Sequence, residues 1–183
     1  MKGIIFTTFN RLVEEKFGLE IWDRMIESVQ PESEGIYVST STYSFQELIN
    51  LVQDLSKETE VPVNDLIRVF GEYVFPFLAN SQPQLVDSKT AKEFLLKVND
   101  IVHFEVRKLY PDAELPLFDY EDPGDGKLVM IYSSIRNLPT FVEGLIIGVG
   151  LYFSEKISQN ISVSKDVKAG NQLHRFELSF EKV

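Results

Sequence analysis

Residues 127–134 read KLVMIYSS, and this stretch marks the point where the periodicity of the chain changes. It predicts a β-strand over Lys127–Ser134. Two later stretches, Ile157–Ser164 and Leu173–Phe180, alternate in polarity and predict two more strands, joined by a turn at Ala169–Gln172. Helical spacing dominates upstream, so the sequence predicts the α+β class with a small antiparallel sheet.

The preceding sequence predicts a series of helices. Apolar residues recur at spacings of three and four from Ile4 to Val13, and Gly18 ends this run. A helix over Val63–Leu78 has almost no polar face, which indicates burial on more than one side. The stretch Tyr110–Gly126 is rich in Pro and Asp and is predicted to be irregular. The other predicted helices are Leu19–Val29, Phe45–Lys57, Lys89–Leu109 and Pro139–Lys156.

No linker or internal repeat divides the chain, so we expect a single domain over residues 1–183. Within it we expect a helical N-terminal subdomain over residues 1–62 and a C-terminal subdomain over residues 63–183. The longest apolar run, Leu145–Phe153, is about half the roughly 20 residues that a membrane-spanning helix needs. No targeting segment is visible. We therefore expect a cytoplasmic protein without membrane insertion.

The composition argues against several classes of function. The 18 Lys and Arg against 28 Asp and Glu give a formal net charge of −10, which argues against binding nucleic acid or an anionic membrane. The chain has no Cys, which excludes disulfides, Cys nucleophiles, iron–sulfur clusters and Cys-based zinc sites. It has 14 Phe, more apolar side-chain volume than an ordinary core needs, which suggests an apolar cavity or binding site. Its only histidines are His103 and His174.

His103 lies on the predicted helix Lys89–Leu109, away from the centre of its main apolar stripe. One interpretation is a histidine on the solvated side of the helix. The other is that the helix has a second buried contact and that His103 points at a ligand. Leu96 and Phe104, which also lie outside the stripe, slightly favour the second interpretation, and the sequence alone leaves both open.

Tyr132, Ser134 and Arg136 occupy alternate positions. On a continuous strand they would share one face. All three side chains donate hydrogen bonds, and arginine can bind a carboxylate or phosphate through two parallel bonds. This pattern predicts a site for an anionic ligand with several acceptor groups. The alternative is the solvated outer face of an edge strand.

Other sequence patterns do not match known binding or catalytic motifs. Four carboxylates lack the spacing of an EF-hand loop and are interpreted as a solvated turn. Gly148 and Gly150 lack the third glycine of a dinucleotide site, and together with Gly144 they predict close helix packing. The sequence has no GxSxG, P-loop or HExxH motif, and a Ser–Lys arrangement stays open. The four carboxylates are Asp119, Glu121, Asp122 and Asp125.

These features fit together better than each does alone. A candidate axial imidazole, a row of carboxylate-binding donors and a surplus of aromatic side chains indicate a buried planar cofactor with two carboxylates. That description fits haem.

Three segments resemble the H-NOX (haem–nitric oxide/oxygen binding) family, the gas-sensing domains related to the haem domain of soluble guanylate cyclase. They are MKGII at residues 1–5, NDIVHFEV at residues 99–106 and YSSIR at residues 132–136. The resemblance extends over essentially the whole chain. It implies a helical N-terminal part, followed by a C-terminal part in which helices and a four-stranded antiparallel sheet enclose haem b.

The resemblance also implies roles for individual residues. His103 would be the axial ligand of the haem iron, and Tyr132, Ser134 and Arg136 would bind the propionates. Some relatives hold a zinc ion through three Cys and a His. This chain has no Cys, so we expect no zinc, and we expect His174 to be structural or exposed. The residues expected to pack against the macrocycle are Ile5, Pro116 and Leu145.

The distal side of the haem is expected to decide which gas binds. Oxygen-binding members of the family place a Tyr on the helix after the Arg, where it donates to bound dioxygen. Ungapped alignment from Arg136 puts Phe141 at this position, and Phe9 and Val74 are the other expected pocket residues. None of these three can donate a hydrogen bond. The resemblance therefore implies binding of nitric oxide and carbon monoxide and exclusion of oxygen.

The implied function is a sensor, not an enzyme. It would regulate a separate signalling protein, such as a histidine kinase or a cyclic-di-GMP enzyme, by movement of the helix that carries His103. Two alternatives stay open. One is a haem enzyme of the peroxidase type, which the lack of a distal acid–base group disfavours. The other is a cofactor-free binding module for an acidic hydrophobic small molecule.

Overall fold

A computed structural model describes residues 1–168 and 170–182 and confirms the α+β class. None of the helices in these ranges is long and apolar enough to cross a membrane. The helices are α1 Gly3–Phe17, α2 Leu19–Val29, α3 Phe45–Thr59, α4 Val63–Ser81, α5 Ala91–Lys97, α6 His103–Leu109 and α7 Pro139–Phe153. The strands are β1 Leu117–Gly124, β2 Lys127–Ser133, β3 Glu155–Lys168 and β4 Asn171–Lys182.

The first four helices follow the predicted boundaries closely. Gly18 separates α1 from α2 with a φ of 96°, in the left-handed region that glycine adopts without steric cost. Pro62 stands directly before α4, where its missing N–H costs no helical hydrogen bond. Helices α3 and α4 run two and three residues past their predicted ends, as is usual for helix termini.

A π-helical turn divides the long helix that was predicted over Lys89–Leu109. The Thr90 hydroxyl accepts a hydrogen bond from the Glu93 N–H over 3.1 Å and caps α5. The π turn covers Val98–Val102, and the His103 N–H closes it by donating to the Val98 carbonyl. An inserted π turn shifts the faces of the residues that follow. The direction of His103 therefore cannot be read from the apolar stripe of α5.

Four antiparallel strands of the described chain form one sheet in the order β1-β2-β4-β3. Strand β1 corrects the prediction that Tyr110–Gly126 is irregular throughout. Phe118 and Tyr120 pack on the core, whereas Asp119 and Glu121 are exposed, so a period of two is present. The strand lies at the sheet edge, where its proline and acidic side chains are tolerated.

Three of the four acidic residues interpreted as one solvated turn lie on strand β1 instead, although their side chains are solvent-exposed as expected. Only Asp125 lies in the turn between β1 and β2. In the described ranges no group of three or more His, Asp or Glu could hold a metal ion. The paired residues are Asp119 with Lys168, Glu121 with Arg175 and Asp122 with Lys92.

Helix α4 belongs to two apolar cores, as its nearly unbroken apolar sequence predicts. Phe70 and Val74 pack in a core formed by α1 to α4. Phe75 and Ala79, less than two turns further on, pack in a second core with α5, α7 and the sheet. The expected subdomain boundary near residue 62 stays a prediction, because α4 serves both cores.

Close contact between α4 and α7 depends on Gly144 and Gly148, two of the three glycines for which the sequence predicts close helix packing. The third, Gly150, lies against Glu155 and Ile157 of β3 instead. A Cβ atom added at Gly144 would lie 2.0 Å from the Arg68 carbonyl oxygen, and one at Gly148 would lie 2.8 Å from the Glu72 carbonyl oxygen. Real side chains do not make such contacts. The absence of side chains at these positions therefore sets the distance between the two helices.

Candidate cofactor-binding site

His103 is held in an apolar environment at the start of α6. Its ring lies 5.9 Å from the ring of Phe118 on β1. Its Nδ1 is buried and has no hydrogen-bond partner among the described residues. Burial lowers the pKa of His103 to about 4, the Arg107 cation lowers it as well, and the nearby Pro116 carbonyl acts in the opposite direction. The imidazole is therefore neutral near pH 7, the form that binds metals.

Tyr132, Ser134 and Arg136 are not on one strand face, which corrects the expected geometry. Strand β2 ends at Ser133, and the chain turns before α7. The Ser134 hydroxyl accepts a hydrogen bond from the Arg136 N–H over 3.2 Å, and the Ser134 carbonyl accepts one from the Asn137 N–H. A serine that bonds to a nearby backbone N–H favours a turn over a strand.

The hydroxyl groups of Tyr132, on β2, and of Ser134, in the turn, can each still donate a hydrogen bond. The Tyr132 hydroxyl accepts from the Leu138 N–H over 3.0 Å, and the Ser134 hydroxyl accepts from the Arg136 N–H. A hydroxyl group has one hydrogen in addition to its acceptor lone pairs. Both side chains therefore keep the turn closed with their oxygen atoms and can still donate to a carboxylate.

Arg136 already binds a carboxylate of the protein. Its Nη2 donates to the Glu114 carboxylate over 2.5 Å, and its Nη1 donates to the Glu114 carbonyl over 2.7 Å. The guanidinium also lies 5.8 Å from the centre of the Phe45 ring. The group is thus oriented by fixed neighbours and is suited to binding an anion.

A narrow apolar cleft of about 20 Å³ lies between α1, α3, α4 and the start of α7. Ile5 and Phe141 line it, and Phe45 and Leu138 connect it to the turn that carries Arg136. The same turn reaches His103 through Tyr132, whose ring lies 5.7 Å from that of Phe118. The full lining is Met1, Ile5, Phe45, Leu48, Ile49, Val52, Ile67, Phe70, Leu138 and Phe141.

The remaining expected site residues lie around this cleft or beside His103. Phe9 and Val74 are fully buried in the first core, and Phe9 contacts the Phe70 ring that lines the cleft. Leu145 packs against both cores. Pro116 directly precedes β1, beside His103.

A family model described as "Haem-NO-binding" matches residues 2–161 of the chain. The chain belongs to this family. Its H-NOX members are haem-based gas-sensing domains, and the fold described above is the H-NOX fold.

Two solved H-NOX structures are similar over the whole chain. The Fe(II) unliganded H-NOX protein from K. algicida is 40% identical, covers 100% of this chain and 98% of its own, and has a TM-score of 0.86. The H-NOX protein from S. oneidensis in the Fe(II)NO ligation state is 29% identical, covers 100% of both chains, and has a TM-score of 0.84.

A curated relative extends the similarity to a longer protein. The soluble guanylate cyclase gcy-35 from Caenorhabditis elegans is 23% identical over 151 residues, which are 80% of this chain. The aligned region spans only 22% of the length of that relative.

The residues of this H-NOX chain fit a haem group. A neutral imidazole with an unpartnered buried nitrogen suits an iron ligand, and the apolar side chains that line the cleft suit contact with a macrocycle. Three donors, Tyr132 near the end of β2 and Ser134 and Arg136 in the turn that follows, suit its carboxylates.

Sequence reasoning did not identify two residues that the structure places at this turn, Glu114 and Asn137. An Asn directly before Leu138-Pro139 is a signal for a turn, since Asn tolerates left-handed backbone. Glu114 has no such local signal, because its contact with Arg136 spans 22 positions of the chain.

Proposed function

We propose that this chain is a haem b sensor of nitric oxide that excludes oxygen and regulates a separate signalling partner. The family description names nitric oxide, and the similar structure from S. oneidensis is an Fe(II)NO form. The observation that carries the proposal is the neutral His103 ring with its buried, unpartnered Nδ1.

When bound, ferrous haem supplies an iron centre that takes up nitric oxide and carbon monoxide. His103 would hold this iron, because its neutral ring has a lone pair for the metal. Tyr132, Ser134 and Arg136 would donate hydrogen bonds to the propionates. The side chains that pack against the macrocycle are Ile5, Pro116 and Leu145.

The distal residues favour nitric oxide over oxygen because they have no hydrogen-bond donor. Phe9, Val74 and Phe141 have no hydrogen-bond donor, so they would not stabilise a polar ligand such as dioxygen at the haem. Nitric oxide binds strongly without such a donor. The same pocket has no side chain that could transfer a proton, which argues against the peroxidase alternative.

The output of the sensor is a movement of α6, the helix that carries His103. The π turn at Val98–Val102 is the hinge we assign to this movement, because its backbone can return to α-helical geometry. The movement regulates a partner only if the partner binds the two positions of α6 with different affinity. A histidine kinase or a cyclic-di-GMP enzyme is the class of partner proposed.

The His103→Gly variant tests the iron ligand. We expect it to lose haem during purification and to regain haem when free imidazole is supplied, because imidazole can enter the space that the side chain leaves. The Soret absorbance relative to protein absorbance measures occupancy, and His174→Ala, which removes the other histidine, should keep the normal ferrous spectrum of any haem that it retains. A normal ferrous spectrum in His103→Gly without imidazole would contradict the assignment.

A further inference from the structure

His174 on β4 lies directly opposite Tyr132 on β2. The two residues are partners in the antiparallel register, and their rings are 6.0 Å apart. Directly opposed residues of neighbouring strands point to the same side of the sheet. His174 is only 7% exposed, so its side chain is buried beside the turn that carries Arg136.

This cross-strand pair holds two consecutive residues of the turn. The Tyr132 hydroxyl accepts from the Leu138 N–H over 3.0 Å, and His174 Nε2 lies 2.6 Å from Asn137 Oδ1. An amide oxygen can only accept, so Nε2 carries the hydrogen and donates it. Burial lowers the pKa of His174 below its ordinary value, and its single N–H is committed to this bond.

Asn137 needs this support because of its backbone. Its φ is 45°, in the left-handed region where residues other than glycine are uncommon. The residue immediately before it is Arg136, whose guanidinium extends from the same turn. Loss of the bond that holds the Asn137 side chain would therefore loosen the turn from which Arg136 extends.

We propose that His174 is a positioning residue for the anion site: by binding Asn137 it holds Arg136 in the orientation that receives a haem propionate. This inference rests on the proposed function, in which Arg136 binds the propionate. His174 touches neither the haem nor the iron, and it acts through Asn137.

The test measures the rate at which the haem-loaded protein transfers haem to excess apomyoglobin. His174→Phe keeps a ring but removes the donor, and Asn137→Gly keeps the left-handed backbone but removes the acceptor. We expect each variant to lose haem about three- to tenfold faster, the range of one neutral hydrogen bond. The double variant should be no faster than either single variant, because both remove the same bond. His174→Gln, which retains an N–H donor, should restore the wild-type rate.

The Arg136→Ala background separates positioning from a general structural role. In that background His174→Phe should cause no further acceleration, and the ferrous spectrum should be unchanged throughout because His103 is intact. Equal acceleration by His174→Phe with and without Arg136 would overturn the inference, and so would wild-type rates in both single variants. Should His174→Phe fail to fold, the exposed Asn137→Gly carries the same comparison. A wild-type protein that binds no haem would overturn the proposed function, and this inference with it.

Discussion

The Arg136 guanidinium and Glu114 form a two-point contact, in which Nη1 donates to the Glu114 carbonyl and Nη2 to its carboxylate. The Arg136 side chain is 13% exposed and that of Glu114 is 62% exposed, so the carboxylate reaches inward from the surface to the guanidinium. The arginine that we assign to a haem propionate thus already has a carboxylate of the protein as its partner.

Glu114→Gln should slow the loss of haem. A propionate at Arg136 must either displace the Glu114 carboxylate or lie beside it, and the variant removes both the competition and the like-charge repulsion. We expect about a three- to tenfold slower transfer of haem to apomyoglobin, the range expected for one hydrogen bond. Glu32→Gln on the surface is the control for net charge. A faster loss would show instead that Glu114 orients Arg136 for the propionate.

The helices could be predicted because their determinants are local. Gly18 and Pro62 mark boundaries through their own backbone preferences, and apolar residues at spacings of three and four mark the buried faces. The glycines that allow α4 and α7 to approach could also be recognised, since Gly144 and Gly148 lie on one side of a helix. These signals need no knowledge of distant residues.

The predictions from sequence were wrong where contacts between residues far apart in the chain determine the structure. Strand β1 exists because β2 pairs with it, and its acidic side chains are compensated by cations far away in the sequence. The turn after Ser133 is closed by the Tyr132 hydroxyl and by His174, and neither contact follows from alternation in the sequence. The π turn before His103 likewise changed the face on which that residue lies.

Gly144→Ala should destabilise the protein although alanine is the better helix former. Helix propensity favours alanine by about 1 kcal/mol, but the new Cβ would lie 2.0 Å from the backbone oxygen of Arg68. Separating α4 from α7 is an overpacking cost of about 1–3 kcal/mol or more, so we expect a net loss of stability. Urea denaturation measures the free energy of unfolding. Leu151→Ala, at a 65% exposed position of α7, should change it by less than about 0.5 kcal/mol.

The Lys2–Asp112 pair should make stability depend on pH at the acidic end. Lys2 Nζ lies 2.8 Å from the Asp112 carboxylate, and the Thr42 hydroxyl donates to it over 2.7 Å. These contacts lower the pKa of Asp112 from 3.8 to about 2. A lowered pKa stabilises the fold above pH 3.8, and this contribution is lost as the pH falls through about 2.

Denaturation of wild type and Asp112→Asn between pH 2 and pH 6 checks this linkage. The wild type should be the more stable protein at pH 6, and the difference should vanish at the lowest pH. An NMR titration of the Asp112 carboxyl carbon measures this pKa directly. An Asp112 pKa near 3.8 would contradict the prediction.

Phe141→Tyr should increase the affinity for oxygen. Phe141 lines the apolar cleft, with its ring 5.5 Å from that of Phe70, and the resemblance to the family predicts that it takes the place of the tyrosine of oxygen-binding members. A donor to a charged acceptor is worth about 1.5–3 kcal/mol. At about 1.4 kcal/mol per decade this is roughly a ten- to hundredfold gain. Equilibrium titration of the ferrous protein with oxygen measures it, with carbon monoxide as the reference ligand.

The wild-type protein and a second variant decide whether the position of the phenol matters. Wild type should bind nitric oxide and carbon monoxide and form no stable oxygen complex in air, because Phe9, Val74 and Phe141 offer no donor. Phe45→Tyr adds the same hydroxyl to the lining of the same cleft, near Arg136, and should leave oxygen affinity unchanged. A stable oxygen complex of the wild-type protein would place a donor near the iron and overturn the assignment of the distal pocket. Equal gains in both variants would mean that a more polar cleft, not a hydrogen bond from residue 141, stabilises the oxygen complex.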